Sequence, residues 1–241
     1  MKIMKVRSYS ELCRAAATII IEKVVMADKV NLGLATGSTP IGLYRYLVDD
    51  HLRNHTSYRH VKTFNLDEYV GLSPDDPNSY HYYMKEHLFH RVNLWPENIH
   101  LPKGILGDLD AECHQYESLI ANNGGINLQL LGLGRNGHIG FNEPGTSFLS
   151  KTHVVDLDDS TRKANSRFFD SIDQVPQQAI TMGIDTIFSS KEILLLVSGE
   201  GKVEAFKQLL EGEISEEFPA SILKKHPNIT VIVDSGTIGE I

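Results

Sequence analysis

Val30-Asn31-Leu32-Gly33-Leu34-Ala35 runs straight into Thr36-Gly37-Ser38-Thr39-Pro40 and then into IGLYRYLVDDHLRN (41–54). The first run is short and aliphatic, as in a strand covered on both faces, and the last carries a helical pattern. The same alternation recurs along the chain. VKTFN (61–65), INLQLLGLG (126–134), EILLLVSG (192–199) and NITVIVD (228–234) read as further buried strands, each ending in Gly or polar residues. Between them lie amphipathic stretches. Residues 10–27 place Leu12, Ala16, Ile19 and Lys23 on one stripe, and 202–211 place Val203, Phe206 and Leu210 on another. Continuous apolar strands alternating with helices predict a three-layer α/β sandwich, its mostly parallel central sheet covered by helices on both faces.

At 241 residues and about 150 per domain, the chain is expected to form a single domain spanning 1–241. The apolar content of 41% supplies a core at that length. With 31 acidic against 23 Lys/Arg residues the formal charge is −8, which opposes a broad grip on nucleic acid but leaves room for a local cationic pocket. Two cysteines, Cys13 and Cys113, exclude a disulfide framework and a thiolate zinc cluster. No apolar stretch is long enough to span a membrane, and MKIMKVRSYSEL (1–12) lacks the apolar block of an export signal. A reducing, cytoplasmic setting is expected.

Ligands of such sheets bind beyond the carboxyl ends of the strands, so the loops at 36–40, 66–78, 134–150 and 198–202 are where chemistry is expected. In the first, Thr39 suits a helix cap and Pro40 the first helical position, while Gly37 permits a tight turn. Several backbone N–H groups and two hydroxyls of this turn can then converge on an anion at a helix N-terminus, although an ordinary capped turn has the same composition. In the second, Asp67 and Glu68 follow a strand directly. Adjacent carboxylates repel, which favours a proton on one of them when water is excluded; the pair suits a base, a helix cap or a solvated acidic turn. Pro74 to Ser79 breaks the chain before YHYYMKEHLFH (80–90), whose aromatics are expected to pack.

The third loop matches G-x-G-x-x-G at Gly132-Leu133-Gly134-Arg135-Asn136-Gly137. A dinucleotide site needs the last glycine to open a helix, and HIGFNEPGTSF (138–148) cannot continue as one. What remains is Asn136, His138 and Glu143 on irregular chain. A histidine oriented by a carboxylate shuttles protons, although a histidine can also merely satisfy loop carbonyls. With no thiolate or second histidine at ligand spacing, no metal is expected. Lys202 and Arg167 supply positive charge for an anion, a planar fork in the case of Arg167, against a default of solvated surface charge.

Taken together, ATGSTP (35–40), FNLDEYVGL (64–72), GLGRNGHIGFNEPG (132–145), NSRFF (165–169) and SGEGK (198–202) resemble the glucosamine-6-phosphate deaminases, in family order over nearly the whole chain. The resemblance implies a Rossmann-like sandwich that converts glucosamine 6-phosphate and water to fructose 6-phosphate and ammonia in amino-sugar catabolism, with no cofactor. By motif, His138 opens the sugar ring, Glu143 and Asn136 orient and tune it, and Asp67 removes the C2 proton. Thr36, Gly37, Ser38, Thr39, Arg167 and Lys202 hold the phosphate.

The allosteric hexamers of the family carry Asp where this chain has Asn136, and Arg and Lys where it has His153 and Val155; they also extend further at the C-terminus. The resemblance is therefore to the shorter branch, without effector activation, and a monomer or small homo-oligomer is expected. A lid is expected within 151–190. The partner is a small sugar phosphate, with no nucleic acid and no membrane. The alternatives are deamination of the galactosamine epimer, a 6-phosphogluconolactonase, which has no need of Asp67, and a non-catalytic sugar-phosphate sensor. Such a sensor is expected to carry a basic DNA-binding segment, and the formal charge of −8 opposes one.

Overall fold

In a computed structural model the chain is described at residues 1–105, 107–158, 161–163, 166, 169 and 171–238. Seven strands, β1 (Lys2–Val6), β2 (Val30–Leu34), β3 (Val61–Asn65), β5 (Ile99–His100), β6 (Leu128–Gly132), β9 (Ile193–Val197) and β10 (Ile229–Asp234), form one sheet. Its order is β1-β10-β9-β6-β2-β3-β5, and every pair is parallel. β2 and β9 are buried at every position, as the unbroken aliphatic runs require of strands covered on both faces. Among the described residues, no helix is long and apolar enough to cross a membrane.

Helix α1 (Tyr9–Met26) is capped by Ser8 and buries Leu12, Cys13, Ala16, Ala17, Ile20 and Val24. The buried stripe is thus turned by about one residue from the expected one: Ile19 and Lys23 flank it. In the Val203–Glu211 helix, likewise, Ala205, Phe206 and Leu209 face inward while Val203 and Leu210 are exposed. Helix α2 (Ile41–Asn54) begins one residue later than expected, with Pro40 at the cap position and no side-chain cap bond from Thr39. Thr39 is held instead through its carbonyl, which accepts from the Tyr9 hydroxyl at 2.9 Å.

The segment 66–78 is not wholly loop. β4 (Asp67–Tyr69), β8 (Gln178–Thr181) and β7 (His153–Asp156) make a second, antiparallel sheet in the order β4-β8-β7. Leu66 is the joint between the sheets: its N–H donates to Leu34 of β2 and its carbonyl accepts from Met182. Much of the range in which a lid was expected is therefore strand and helix, including Ile184–Phe188. The rest of that range includes Asp159, Ser160, Ala164, Asn165, Arg167, Phe168 and Asp170, which lie outside the described residues.

Candidate active site

The chain passes from β2 outward to β3 and β5, then returns to lay β6 on the other side of β2. The β2/β6 boundary is a topological switch point, where the loops leaving neighbouring strands part and open a crevice. A cavity of about 750 Å³ lies there. Thr36 to Thr39 after β2, Asp67 after β3, Asn136 and His138 after β6, and Lys202 after β9 all line it. Glu143 stands behind His138 and is 7% exposed. Every predicted site residue within the described chain therefore meets at one rim or backs directly onto it; Arg167 lies outside the described residues.

The Thr36–Thr39 turn is fixed from its outer side. Gly37 has φ +90°, a conformation costly for any residue with a Cβ. Its carbonyl accepts from the Tyr83 hydroxyl at 2.6 Å. The Tyr9 hydroxyl donates to Thr39 and accepts from the N–H of Gly42 at 3.0 Å. Tyr83 lies in the aromatic run expected only to pack. It sits in α3 (Tyr80–Met84), capped by Ser79, so a hydroxyl with a defined partner accompanies the packing.

Asp67 and Glu68 point to opposite sides of β4, as successive strand residues must. Glu68, 1% exposed, accepts from the backbone N–H groups of Tyr69, Tyr80 and His81 at 2.8–2.9 Å and contacts His81 Nδ1 at 2.7 Å. It pins the start of α3 and takes no part in the cavity. Asp67 faces the cavity, and burial, reinforced by the charge on Glu68, pushes its pKa up to about 8. Desolvation is thus the leading cause, with the neighbouring carboxylate second.

The turn after β6 opens with Gly134, where a Cβ would sit 2.4 Å from the His138 ring, so only glycine leaves the imidazole its place. The chain beyond Gly137 stays irregular, closed by an Ile139–Asn142 bridge, so the apparent dinucleotide fingerprint leads into no helix. His138 Nδ1 faces Glu143 Oε2 at 3.6 Å, an ion-pair separation. Glu143 also accepts from Asn136 Nδ2 at 2.6 Å and Thr161 Oγ1 at 2.5 Å. Burial raises the Glu143 pKa, but His138, Thr161 and Asn136 outweigh it and hold the group down at about 2. Asn136 accepts from the backbone N–H of His138 at 3.2 Å, so it orients Glu143 and the loop and does not bond the imidazole itself.

Lys202 leaves a turn fixed by Asp234, which accepts from Ser198 Oγ at 2.5 Å and from Thr237. Several cavity residues escaped the sequence reading, among them three polar or charged ones. Tyr80 belonged to the aromatic run, Arg135 lay inside the quoted glycine motif, and Thr161 carried no local signal. The arrangement offers a hydroxyl- and glycine-rich cradle with a lysine, a base of raised pKa, and a histidine backed by an ionised carboxylate. That set can hold an anionic ester and move protons on the carbons it presents.

Known proteins resemble this chain over nearly its whole length. The family model for glucosamine-6-phosphate isomerases/6-phosphogluconolactonase matches residues 7–232. The glucosamine-6-phosphate deaminase of Oceanobacillus iheyensis is 56% identical, covering 100% of this chain and 96% of that protein. Glucosamine-6-phosphate deaminase 1 of Bacillus subtilis is 53% identical, covering 97% of each. A solved monomeric glucosamine-6-phosphate deaminase superposes with a TM-score of 0.97 at 52% identity, over 99% of both chains. The 6-phosphogluconolactonase of Thermotoga maritima, at 20% identity and a TM-score of 0.76 over 97% of this chain and 99% of that one, shares the fold. By sequence and by architecture alike, the chain belongs to the glucosamine-6-phosphate isomerase/6-phosphogluconolactonase family.

Proposed function

We propose that this chain is an enzyme that converts glucosamine 6-phosphate and water to fructose 6-phosphate and ammonia in amino-sugar catabolism. The observation that carries the reading is the meeting of Asp67 with the His138–Glu143 pair in one cavity, beside the Thr36–Thr39 cradle and Lys202. The phosphate seats in the cradle against Lys202, with Arg167 as a further anchor. Binding energy gathered far from the reacting carbons holds them in register. His138 moves a proton from the C1 hydroxyl to the ring oxygen and opens the ring. The charge on Glu143 stabilises the imidazolium that forms on the way.

Asp67 then takes the C2 proton, giving an enolamine, and a proton returned to C1 leaves an imine at C2. Water adds to that imine and ammonia departs. A carboxylate with a pKa near 8 is a far better match to a carbon acid than an ordinary aspartate. The relatives' deaminase activity and the 52–56% identity support this over lactone hydrolysis. The monomeric relative supports a monomer, a cytoplasmic setting fits two buried free cysteines, and His153 and Val155 support rate curves without effector activation. The test is ammonia release from glucosamine 6-phosphate beside its galactosamine epimer. Equimolar ammonia and fructose 6-phosphate from the first is expected. Hydrolysis of 6-phosphogluconolactone with no ammonia from either amino sugar overturns the reading.

A further inference from the structure

Arg135 is an exposed arginine on the rim of an acidic protein's cavity, and among the described residues it makes no hydrogen bond or ion pair. Its position is nevertheless defined. A Cβ at Gly201 would lie 3.2 Å from Arg135 Nε, 3.2 Å from Nη2 and 3.3 Å from Cζ. Three near-equal distances mean that the guanidinium lies face-on against Gly201, in the space a side chain there would fill. A guanidinium packed by its face keeps its N–H edge for a partner. Gly201 immediately precedes Lys202, and β6 and β9, whose following turns carry Arg135 and Lys202, are neighbours in the sheet. Two cavity-lining cations thus come from adjacent turns, and the turn carrying Thr36 to Thr39 follows β2, the neighbour of β6 on its other side.

We propose that Arg135 is a second cationic anchor for the phosphate of the substrate, acting with Lys202 as a clamp on a dianion. The proposal rests on the reading of the cavity as a sugar-phosphate site and adds a binding residue to it. A planar fork meets two phosphate oxygens at once, whereas Lys202 offers a point charge, so the pair selects a doubly charged ester over neutral or singly charged sugars. Gly201 is the spacer that keeps the fork in place.

The experiment compares the parent with R135A, R135K and G201A in steady-state ammonia release and in binding of inorganic phosphate by titration calorimetry. Arg135 is exposed and has no hydrogen-bond or ion-pair partner among the described residues, so thermal melts of its variants should match the parent. R135A is expected to raise KM and weaken phosphate binding about 10–100-fold, the loss of a charge-assisted contact, with kcat changed far less. R135K is expected to recover part of this, and G201A to fall between. KM and phosphate affinity within twofold of the parent in R135A overturn the proposal, as does a loss of kcat with phosphate affinity unchanged. If the parent itself releases no ammonia, the functional reading fails, and the phosphate titration alone decides for or against Arg135.

Discussion

Replacing Asp67 by Asn is expected to stabilise the protein while abolishing its chemistry. The carboxyl is 6% exposed, and its pKa stands at about 8 against an ordinary 3.8, through burial first and the charge on Glu68 second. Between those two values the native state holds a proton that the unfolded chain has already lost. Stability therefore falls as pH rises through that window, by up to ~1.4 kcal/mol per unit, and levels off above the folded value. The accumulated cost is about 6 kcal/mol, of which relaxation around a charge facing an open cavity leaves roughly 2–5 kcal/mol. Asn has the same shape and no charge to desolvate. The gap in unfolding free energy between variant and parent should be small at pH 4.5 and reach that size by pH 8.5, as read by urea unfolding across the series. In the same series, kcat/KM of the parent should climb with pH through a limb near 8, while the variant releases no ammonia. Unfolding curves that shift in parallel for both proteins would refute the argument that the base is held ready at the expense of the fold.

Glu143→Gln leaves the donors of Asn136 and Thr161 facing an amide with one acceptor oxygen, so turnover should drop and stability fall by about 1–3 kcal/mol at pH 7. Because the folded pKa of Glu143 is depressed to about 2, the parent's advantage is complete above the ordinary value of 4.5 and lost as pH falls toward 2. Unfolding at pH 7 and pH 3 checks the sign. Gly134→Ala drives a methyl into the His138 ring, so kcat should collapse while phosphate binding persists; an active G134A variant would show that the ring need not stay where it is. Asp234→Ala frees Ser198 and Thr237, and should raise KM through the Lys202 turn and cost about 1–3 kcal/mol in a thermal melt; an unchanged KM would separate that turn from the substrate.

The five inner strands of the central sheet were legible because they are short, largely apolar runs ending in Gly or polar residues. The edge strands β1 (KIMKV) and β5 (IH), charged or only two residues long and not fully buried, gave no such signal. The small sheet was not legible either. Asp67-Glu68-Tyr69, Gln178–Thr181 and His153–Asp156 are short and partly polar, and they pair across long stretches of chain, so no local period announces them. The same cause hid the division of labour between Asp67 and Glu68. Their adjacency was plain in the sequence, but only the pleat of β4 sends one to the cavity and the other to the backbone of α3. His138, Glu143 and Asn136 were visible as a cluster in one loop. Their wiring was not, since it passes through Thr161 and through a main-chain N–H. Arg135 looks like any solvated arginine until Gly201 is brought beneath it.

Thr181 gives the Leu66 joint a further meaning. It stands opposite Asp67 in the β4–β8 pair, and its hydroxyl accepts from the N–H of Phe141, three residues beyond His138. Asp67 and His138 are thus mounted on separate scaffolds, β4 and the turn after β6, which Thr181 ties together alongside Asn142, whose Nδ2 donates to the carbonyl of Met182. The distance between them can therefore be retuned by substitutions along β7 and β8, none of whose residues lines the cavity.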